Sequence, residues 1–274
     1  MLAPFLPRSK IVAMHKITST LPVYFASDQH FGAPDNSSSR DRELRFVEWL
    51  EGLEGKTEVL FLLGDLFDFW YEYKEVVPKG FTRVLGTLAR LRDKGMTIYF
   101  FVGNHDLWMS DYFEKELQIP VFHEPQLFEI QGKRCFIGHG DGLGPGDKGY
   151  KRMKKLFTNP LAKWCFSRLH PNFAVRLGRS ASLNNKLISG DEDVTFKGRE
   201  NEWLITYCEE KLKQHSFDYF LFGHRHYPMK VHLNGGSFYF NTGDWLRYDS
   251  YAIMEKGELS LKSLRPDVSF PEIL

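Results

Sequence analysis

A chain of 274 residues, 42% hydrophobic and 26% charged, is long enough for one large α/β domain with an inserted subdomain, or for two small domains. Its formal net charge of +1 gives no chain-wide field for nucleic acid, and no apolar stretch reaches the roughly 18 residues needed to span a bilayer. Cysteines at 135, 165 and 208 are far apart and lack C-x-x-C spacing, which argues against a disulfide framework or structural zinc and fits reduced thiols in a cytoplasmic protein.

Residues 1–21 hold Pro4, Pro7, Arg8, Lys10 and Lys16 but neither a long apolar segment nor a small-residue cleavage site, so a secretory signal is not expected. They read either as a loosely ordered N-terminal extension or as the product of an early start codon ahead of Met14. The first expected strand, over 22–27, runs into Asp28-Gln29-His30, and the polar, turn-rich residues 31–39 follow as a loop. Over 41–53, Leu44, Phe46, Val47, Trp49, Leu50 and Leu53 recur at helical spacing, the mark of an amphipathic crossover helix. Next comes Leu60-Phe61-Leu62-Leu63-Gly64-Asp65-Leu66-Phe67-Asp68. A continuous apolar run stopped by Gly and a carboxylate is the signature of a strand buried on both faces. A second helical pattern over 81–94 closes on Gly95 and feeds a third strand, over 97–102, that ends in Gly103-Asn104-His105-Asp106. Such alternation with short connections predicts a mostly parallel sheet.

Past a short helix around 111–117, strands are expected over 126–130 and 134–137, the second ending in Gly138-His139-Gly140-Asp141. Their close spacing announces a second, more antiparallel sheet. Short strands over 229–233, 237–241, 251–255 and 259–264, separated by Asn234-Gly235-Gly236 and Lys256-Gly257, are expected to extend it. A fifth apolar run, over 218–222, ends in Gly223-His224-Arg225-His226. The predicted fold class is α/β, with two sheets face to face and helices outside.

Residues 148–190 break this pattern, holding ten Lys and Arg and no Asp or Glu, interleaved with Tyr150, Met153, Leu156, Phe157, Leu161, Trp164 and Phe166. Pro160 and Pro171 divide the segment into three helical pieces, predicting an inserted helical cap on a core of 22–147 and 191–274. A merely solvated basic face normally interleaves acidic partners. Basic charge beside apolar side chains suits an anionic amphiphile or a membrane surface better than nucleic acid.

Five strand ends thus deliver Asp28, His30, Asp65, Asn104, His139, His224 and His226 to one sheet edge, which in open α/β sheets is where ligands bind. Taken singly, each Asp reads as a turn former and each His as a satisfied polar residue; their joint arrival is what points to a metal centre. Carboxylate, amide and imidazole donors without thiolate select ions such as Mn, Fe or Zn. One Asp between two donor sets can bridge two ions about 3.5–4 Å apart, the arrangement used for in-line displacement at phosphorus. His15, His123, His170, His215 and His232 fall outside these blocks and read as surface or packing residues.

In order, D-x-H, G-D-x-x-D, G-N-H-D, G-H and G-H-x-H over residues 28–226 resemble the calcineurin-type metallophosphoesterases. That resemblance implies a four-layer α/β/β/α sandwich of two mixed sheets with the basic cap inserted. It implies Asp28, His30, Asp65 and His226 as ligands of one metal and Asp65, Asn104, His139 and His224 as ligands of the other. His105 would protonate the leaving group or stabilise the transition state, held by Asp68.

Within that superfamily, residues 64–70, His139-Gly140-Asp141 followed by Asp147 and Tyr150, and the basic cap are similar to the UDP-2,3-diacylglucosamine hydrolases of lipid A biosynthesis. This implies cleavage of a pyrophosphate by attack on the α-phosphorus, giving UMP and 2,3-diacylglucosamine 1-phosphate, with two divalent ions, typically Mn(II). It implies substrate contacts from Asn104, His105, Asp147, Ser180, Asn184 and Lys186, the last displaced by one position from the family spacing. It further implies a cytoplasmic enzyme peripherally associated with the inner membrane, acting on an amphiphilic UDP-sugar lipid, with no nucleic acid and no obligate protein partner. The best-known branch has Arg in place of His105 and Glu in place of Asp68, so a His-bearing sister branch is expected. Two alternatives compete: a phosphodiesterase or nuclease, which shares the G-D-x-F-D and G-N-H-D blocks, and a non-catalytic scaffold, which would lose ligands, whereas all seven are present here.

Overall fold

The computed structural model describes residues 14–33, 38–145, 148–189 and 195–274, with backbone only for 148–149 and 183–189. The apolar run at its centre forms β3 (Val59–Leu62), in which every residue is buried. Val59 and Phe61 face the core between two sheets, while Leu60 and Leu62 face helices on the other side, the two-residue alternation of a strand applied to two apolar surroundings. β2 (Val23–Ala26) and β4 (Thr97–Phe101) flank β3 in parallel register, and β5 (Val121–Phe122) follows β4 after the short helix α3 (Tyr112–Glu116). The crossovers are α1 (Ser39–Gly52) and α2 (Thr82–Asp93). The Ser38 hydroxyl caps α1 by accepting from Asp41 N.

The second sheet holds β1 (Met14–Ile17), β6 (Gln126–Ile130), β7 (Lys133–Ile137), β8 (Tyr219–Phe222), β10 (Phe238–Asn241), β9 (Met229–His232) and β13 (Glu272–Ile273), in that spatial order. It is mixed rather than mainly antiparallel: β1–β6, β7–β8, β8–β10 and β9–β13 are parallel pairs. The antiparallel hairpin of β11 (Ser250–Glu255) and β12 (Glu258–Ser263), expected in this sheet, instead joins the first one at the free edge of β2, with Ala252 opposite Phe25. Tyr251 stacks there against Tyr24 and lies beside Trp49 of α1. An edge that would otherwise expose the backbone donors and acceptors of β2 is thereby covered. Lys256 and Gly257 both take positive φ at the tip (52° and 81°), as a two-residue hairpin turn requires.

β1 also departs from expectation, since residues 14–17 fall inside the expected extension yet pair with β6, burying Ile17 opposite Ile130. Residues 1–13 of that extension lie outside the described residues. Layering follows from three apolar clusters. Phe25, Phe61 and Phe101 of one sheet meet Phe128, Ile137, Leu221 and Phe240 of the other; α1 and α2 cover the outer face of the first sheet; and α7 (Trp203–Leu212) covers the second through Leu204, Ile205 and Cys208. The result is an α/β/β/α sandwich. Each fully buried Phe contributes about 1.5–3 kcal/mol relative to exposure.

Between β7 and β8 come three cap helices, α4 (Lys148–Phe157), α5 (Pro160–Ser167) and α6 (Pro171–Ser189), divided at Pro160 and Pro171 as expected. The cap rests on the loops after β3 and β4. Trp108 Nε1 donates to Phe157 O (2.7 Å), Tyr71 OH donates to Lys163 O (3.1 Å), and Phe166 packs against Phe69, Tyr71 and Trp108. Cys135 and Cys208 are buried and Cys165 is exposed, all three as free thiols. Among the described residues no helix is long and apolar enough to cross a membrane.

Candidate metal centre

Backbone conformation at the strand ends is unusual in one consistent way. Asp28, His30, Asp65, His224 and His226 all have positive φ, between 46° and 68°. L-residues enter that region at a cost on the order of 1–3 kcal/mol each, and such strain persists where the surroundings over-determine it. Here the loops lock one another. Asp28 N donates to Gly64 O, His30 N to Asp65 O, Trp245 N to Asp28 O, and His224 N to Asp28 Oδ2, all at 2.9–3.1 Å. Arg42 of α1, fully buried, donates to the carbonyls of Gln29, His30 and Ala33 at 2.7–3.0 Å and so fixes the Asp28–His30 turn from beneath. Asp106 ties two of the loops together, accepting from Gly103 N (2.6 Å) and Leu66 N (3.0 Å). Gly64 is needed for close approach: with φ +96°, a Cβ there would lie 2.6 Å from His139 Nδ1 and 2.8 Å from Gly103 N.

The seven expected ligands converge. His226 Nε2 lies 3.4 Å and His30 Nε2 3.7 Å from Asp28 Oδ1; His30 Nε2 is also 3.7 Å and His139 Nε2 3.4 Å from Asp65 Oδ2. Asn104 Oδ1 lies 3.2 Å from His139 Nε2 and 2.9 Å from His224 Nδ1. Asp65 therefore stands between two donor groups, one holding Asp28, His30 and His226, the other His139, Asn104 and His224. Asp28 Oδ1 and Asp65 Oδ2 are buried without a hydrogen bond, which is costly for a carboxylate oxygen unless a cation serves it. Donors about 2.1 Å from a shared ion stand about 3–3.5 Å apart, close to the separations found, so the residues fit divalent ions. The outer nitrogens are also held: His139 Nδ1 bonds Leu63 O (2.7 Å) and His226 Nδ1 faces Asp244 Oδ2 (3.1 Å), the support that fixes a ligating imidazole's tautomer.

Electrostatics follow from this crowding. Burial raises the Asp28 carboxyl, partly offset by His226 and His139. Burial also opposes ionisation of Asp65, but the charges of His139 and His105 more than offset it and hold Asp65 well below the usual carboxylate range. Burial, with the Asp65 charge beside it, pushes Asp106 up to about 8. For His139, burial disfavours the cation, yet Asp65 and Asp28 push the imidazole up to about 10. In the metal-free protein at neutral pH this imidazole is therefore protonated, whereas a metal ligand must be neutral. Metal uptake near neutral pH should therefore release protons, and apparent affinity should rise with pH. Calorimetric titrations in two buffers of different ionisation enthalpy read this directly; identical heats in both would contradict it.

His105 and Asp68 stand beside the ligands. His105 Nδ1 lies 3.0 Å from Asp68 O and 3.7 Å from Asp68 Oδ1, and the ring meets His30 edge-on. Asp147 lies outside the described residues, and Asn184 and Lys186 lie where only the backbone of α6 is described. Ser180 is exposed on α6, whereas Ser182, about 200° around the helix, is buried and bonds Asp68 Oδ2 (2.9 Å) and His105 Nδ1 (3.1 Å). Sequence reasoning missed Ser182, Arg42 and Asp244. It also missed the buried pair of Arg225 with Glu202 (2.8–2.9 Å), which anchors the turn between His224 and His226. Only Asp244 carried a readable signal, as a Gly-Asp just after the apolar strand β10.

Residues 21–228, which span the five motif blocks and the cap, match the family model described as calcineurin-like phosphoesterase. The chain belongs to that family. Members of this family work with a pair of metal ions, and the His/Asp clusters here suit such a pair. Among curated family members, the UDP-2,3-diacylglucosamine hydrolase of Porphyromonas gingivalis is 37% identical over 255 residues, covering 88% of this chain and 97% of the relative. The enzyme of the same description from Aeromonas salmonicida is 27% identical over 242 residues, covering 87% and 91%. Of solved structures, the E. coli phosphoesterase Yfce aligns over 90% of this chain and 96% of its own, with TM-score 0.45 and 18% identity.

Proposed function

We propose that this chain hydrolyses the pyrophosphate of UDP-2,3-diacylglucosamine to UMP and 2,3-diacylglucosamine 1-phosphate, using two Mn(II) ions, at the cytoplasmic face of the inner membrane. The observation that carries the reading is a cavity of about 800 Å3 that joins the metal edge to the cap. One end is lined by Asp68, Asn104 and His105; the remainder is apolar, walled by Phe69, Trp108, Met153, Phe157, Phe166 and Leu169 among others. A substrate that is a phosphate ester at one end and hydrocarbon at the other matches both ends, as a nucleic acid does not. The Porphyromonas relative's name, at 37% identity across nearly its whole length, supports the same substrate.

Bound between the two donor groups, divalent ions supply Lewis acidity toward phosphoryl oxygens and a water nucleophile at neutral pH. The chain's own residues do the rest. Asp28, His30, Asp65 and His226, with Asn104, His139 and His224, hold the ions. His105 faces the cavity beside Asn104 and gives a proton to the departing phosphate oxygen, since its Nδ1 is engaged by Asp68 O and Nε2 is left for the substrate. Asp68 steadies it.

On the cap, Leu161, Trp164 and Phe173 are more than half exposed among the lysines and arginines, a surface suited to anionic lipid headgroups. A cavity-filling variant tests the substrate reading. Ala181→Trp, on the cavity-facing side of α6, should lower kcat/KM for the diacylated substrate at least about tenfold, equivalent to about 1.4 kcal/mol of lost apolar contact. Its turnover of bis-p-nitrophenyl phosphate should change little. Equal losses on both substrates would mean that the cavity is not the acyl site.

A further inference from the structure

The hydroxyl of Ser182 reaches from the cap into the catalytic end of the site, and its bonding has one consistent assignment. Asp68 O, a carbonyl, can only accept, so the His105 Nδ1 that lies 3.0 Å from it carries a hydrogen. Ser182 Oγ donates its own hydrogen to Asp68 Oδ2 at 2.9 Å and therefore accepts from His105 Nδ1 at 3.1 Å. Nδ1–H is shared between two acceptors from different parts of the fold, one on the core loop and one on the cap. This fixes the ring plane of His105 and keeps a hydrogen on Nδ1 when the doubly protonated ring gives up its Nε2 proton, leaving Nε2 as the nitrogen that meets the substrate. Leu177, Gly178, Ala181 and Ser182 form one stripe of α6 and line the same apolar cavity. At Gly178 a Cβ would collide with the ring of Phe69, so this stripe sits hard against the loop that carries Asp68.

We propose that Ser182 is a positioning residue for His105, through which seating of the cap sets the orientation of the proton donor. The proposal rests on the phosphohydrolase reading above, and extends it: the cap takes part in the chemical step as well as in holding an apolar substrate. A hydroxyl-dependent link between α6 and His105 makes the benefit greatest where the leaving group most needs a proton, and least where the leaving group departs as a stable anion.

The test compares phenyl with p-nitrophenyl phosphodiesters on the Mn-loaded full chain, both being soluble esters that do not depend on acyl binding. In Ser182→Ala, turnover of the phenyl ester relative to the p-nitrophenyl ester should fall at least about tenfold from the parent ratio, with metal content unchanged. Ser182→Thr, which keeps the hydroxyl, should return the ratio to within about threefold of the parent and guards against misfolding of the alanine variant. Parallel loss of both rates in Ser182→Ala, or an unchanged ratio, would overturn the positioning role while leaving the phosphohydrolase reading intact. A parent protein that turns over neither ester nor UDP-2,3-diacylglucosamine would instead remove that reading, and with it the proposal.

Discussion

Replacing Asp65 by Asn is expected to reduce bound metal from two ions per chain to one or none, and to lower phosphodiester turnover at least about 10³-fold. The substitution is close to isosteric, and its Oδ1 can still accept from His105 N, a bond of 2.8 Å in the parent. It removes a carboxylate that faces both His30 and His139, from 3.7 and 3.4 Å. Loss of even an outer partner of a metal ligand costs about 10–100-fold in affinity, and a carboxylate shared by both donor groups must cost more. Removing a single transition-state donor costs about 10²–10³ in rate; here the nucleophile and the electrostatic clamp go together. Metal analysis after dialysis, with turnover of bis-p-nitrophenyl phosphate, decides. Two tightly held ions and more than a tenth of parent activity would show that Asp65 does not bridge.

His105→Ala should be nearly as damaging to turnover but should leave the metals in place. A positioned general acid contributes about 10²–10⁴-fold, and His105 lines the cavity and is not among the seven side chains expected to hold the ions. The measurement discriminates because His105, His30 and Asp68 also bring donor atoms within 4.8 Å of one another. Unchanged metal content with about 10²–10⁴-fold lower turnover supports the proton-donor role. Loss of an ion would make His105 a ligand and require another donor for the leaving group.

How much of this was legible beforehand depended on locality. Buried parallel strands read as unbroken apolar runs, and the ligands fall within a few residues of each run, so β3 with Asp65 and β8 with His224 and His226 were visible without neighbours. The side of the sandwich taken by β11 and β12 was not visible, because nothing within the hairpin says that Ala252 will pair with Phe25 at the other end of the chain. β1 was hidden in four residues of which two, His15 and Lys16, are polar. α7 was hidden by Trp203-Leu204-Ile205-Thr206-Tyr207-Cys208, an aromatic and β-branched run that suits a strand as well as a helix. On α6, motif spacing pointed to Ser180, and only packing against the Asp68 loop shows that Ser182 faces inward. Arg42 lies in the helix expected over 41–53, and nothing in that helical pattern shows that three backbone carbonyls accept from it.

In the proposed reading, one continuous site pairs a two-metal phosphohydrolase centre with an apolar, cap-lined cavity for a diacylated nucleotide sugar. Turnover of UDP-2,3-diacylglucosamine by the purified protein, with Mn(II) and detergent, tests it most directly when bis-p-nitrophenyl phosphate and single-stranded DNA are assayed in parallel. The expected result is UMP release far faster than cleavage of either other substrate. Activity confined to the generic diester or to DNA would contradict the account, keeping the metal centre but making the basic cap a surface for another phosphate ester.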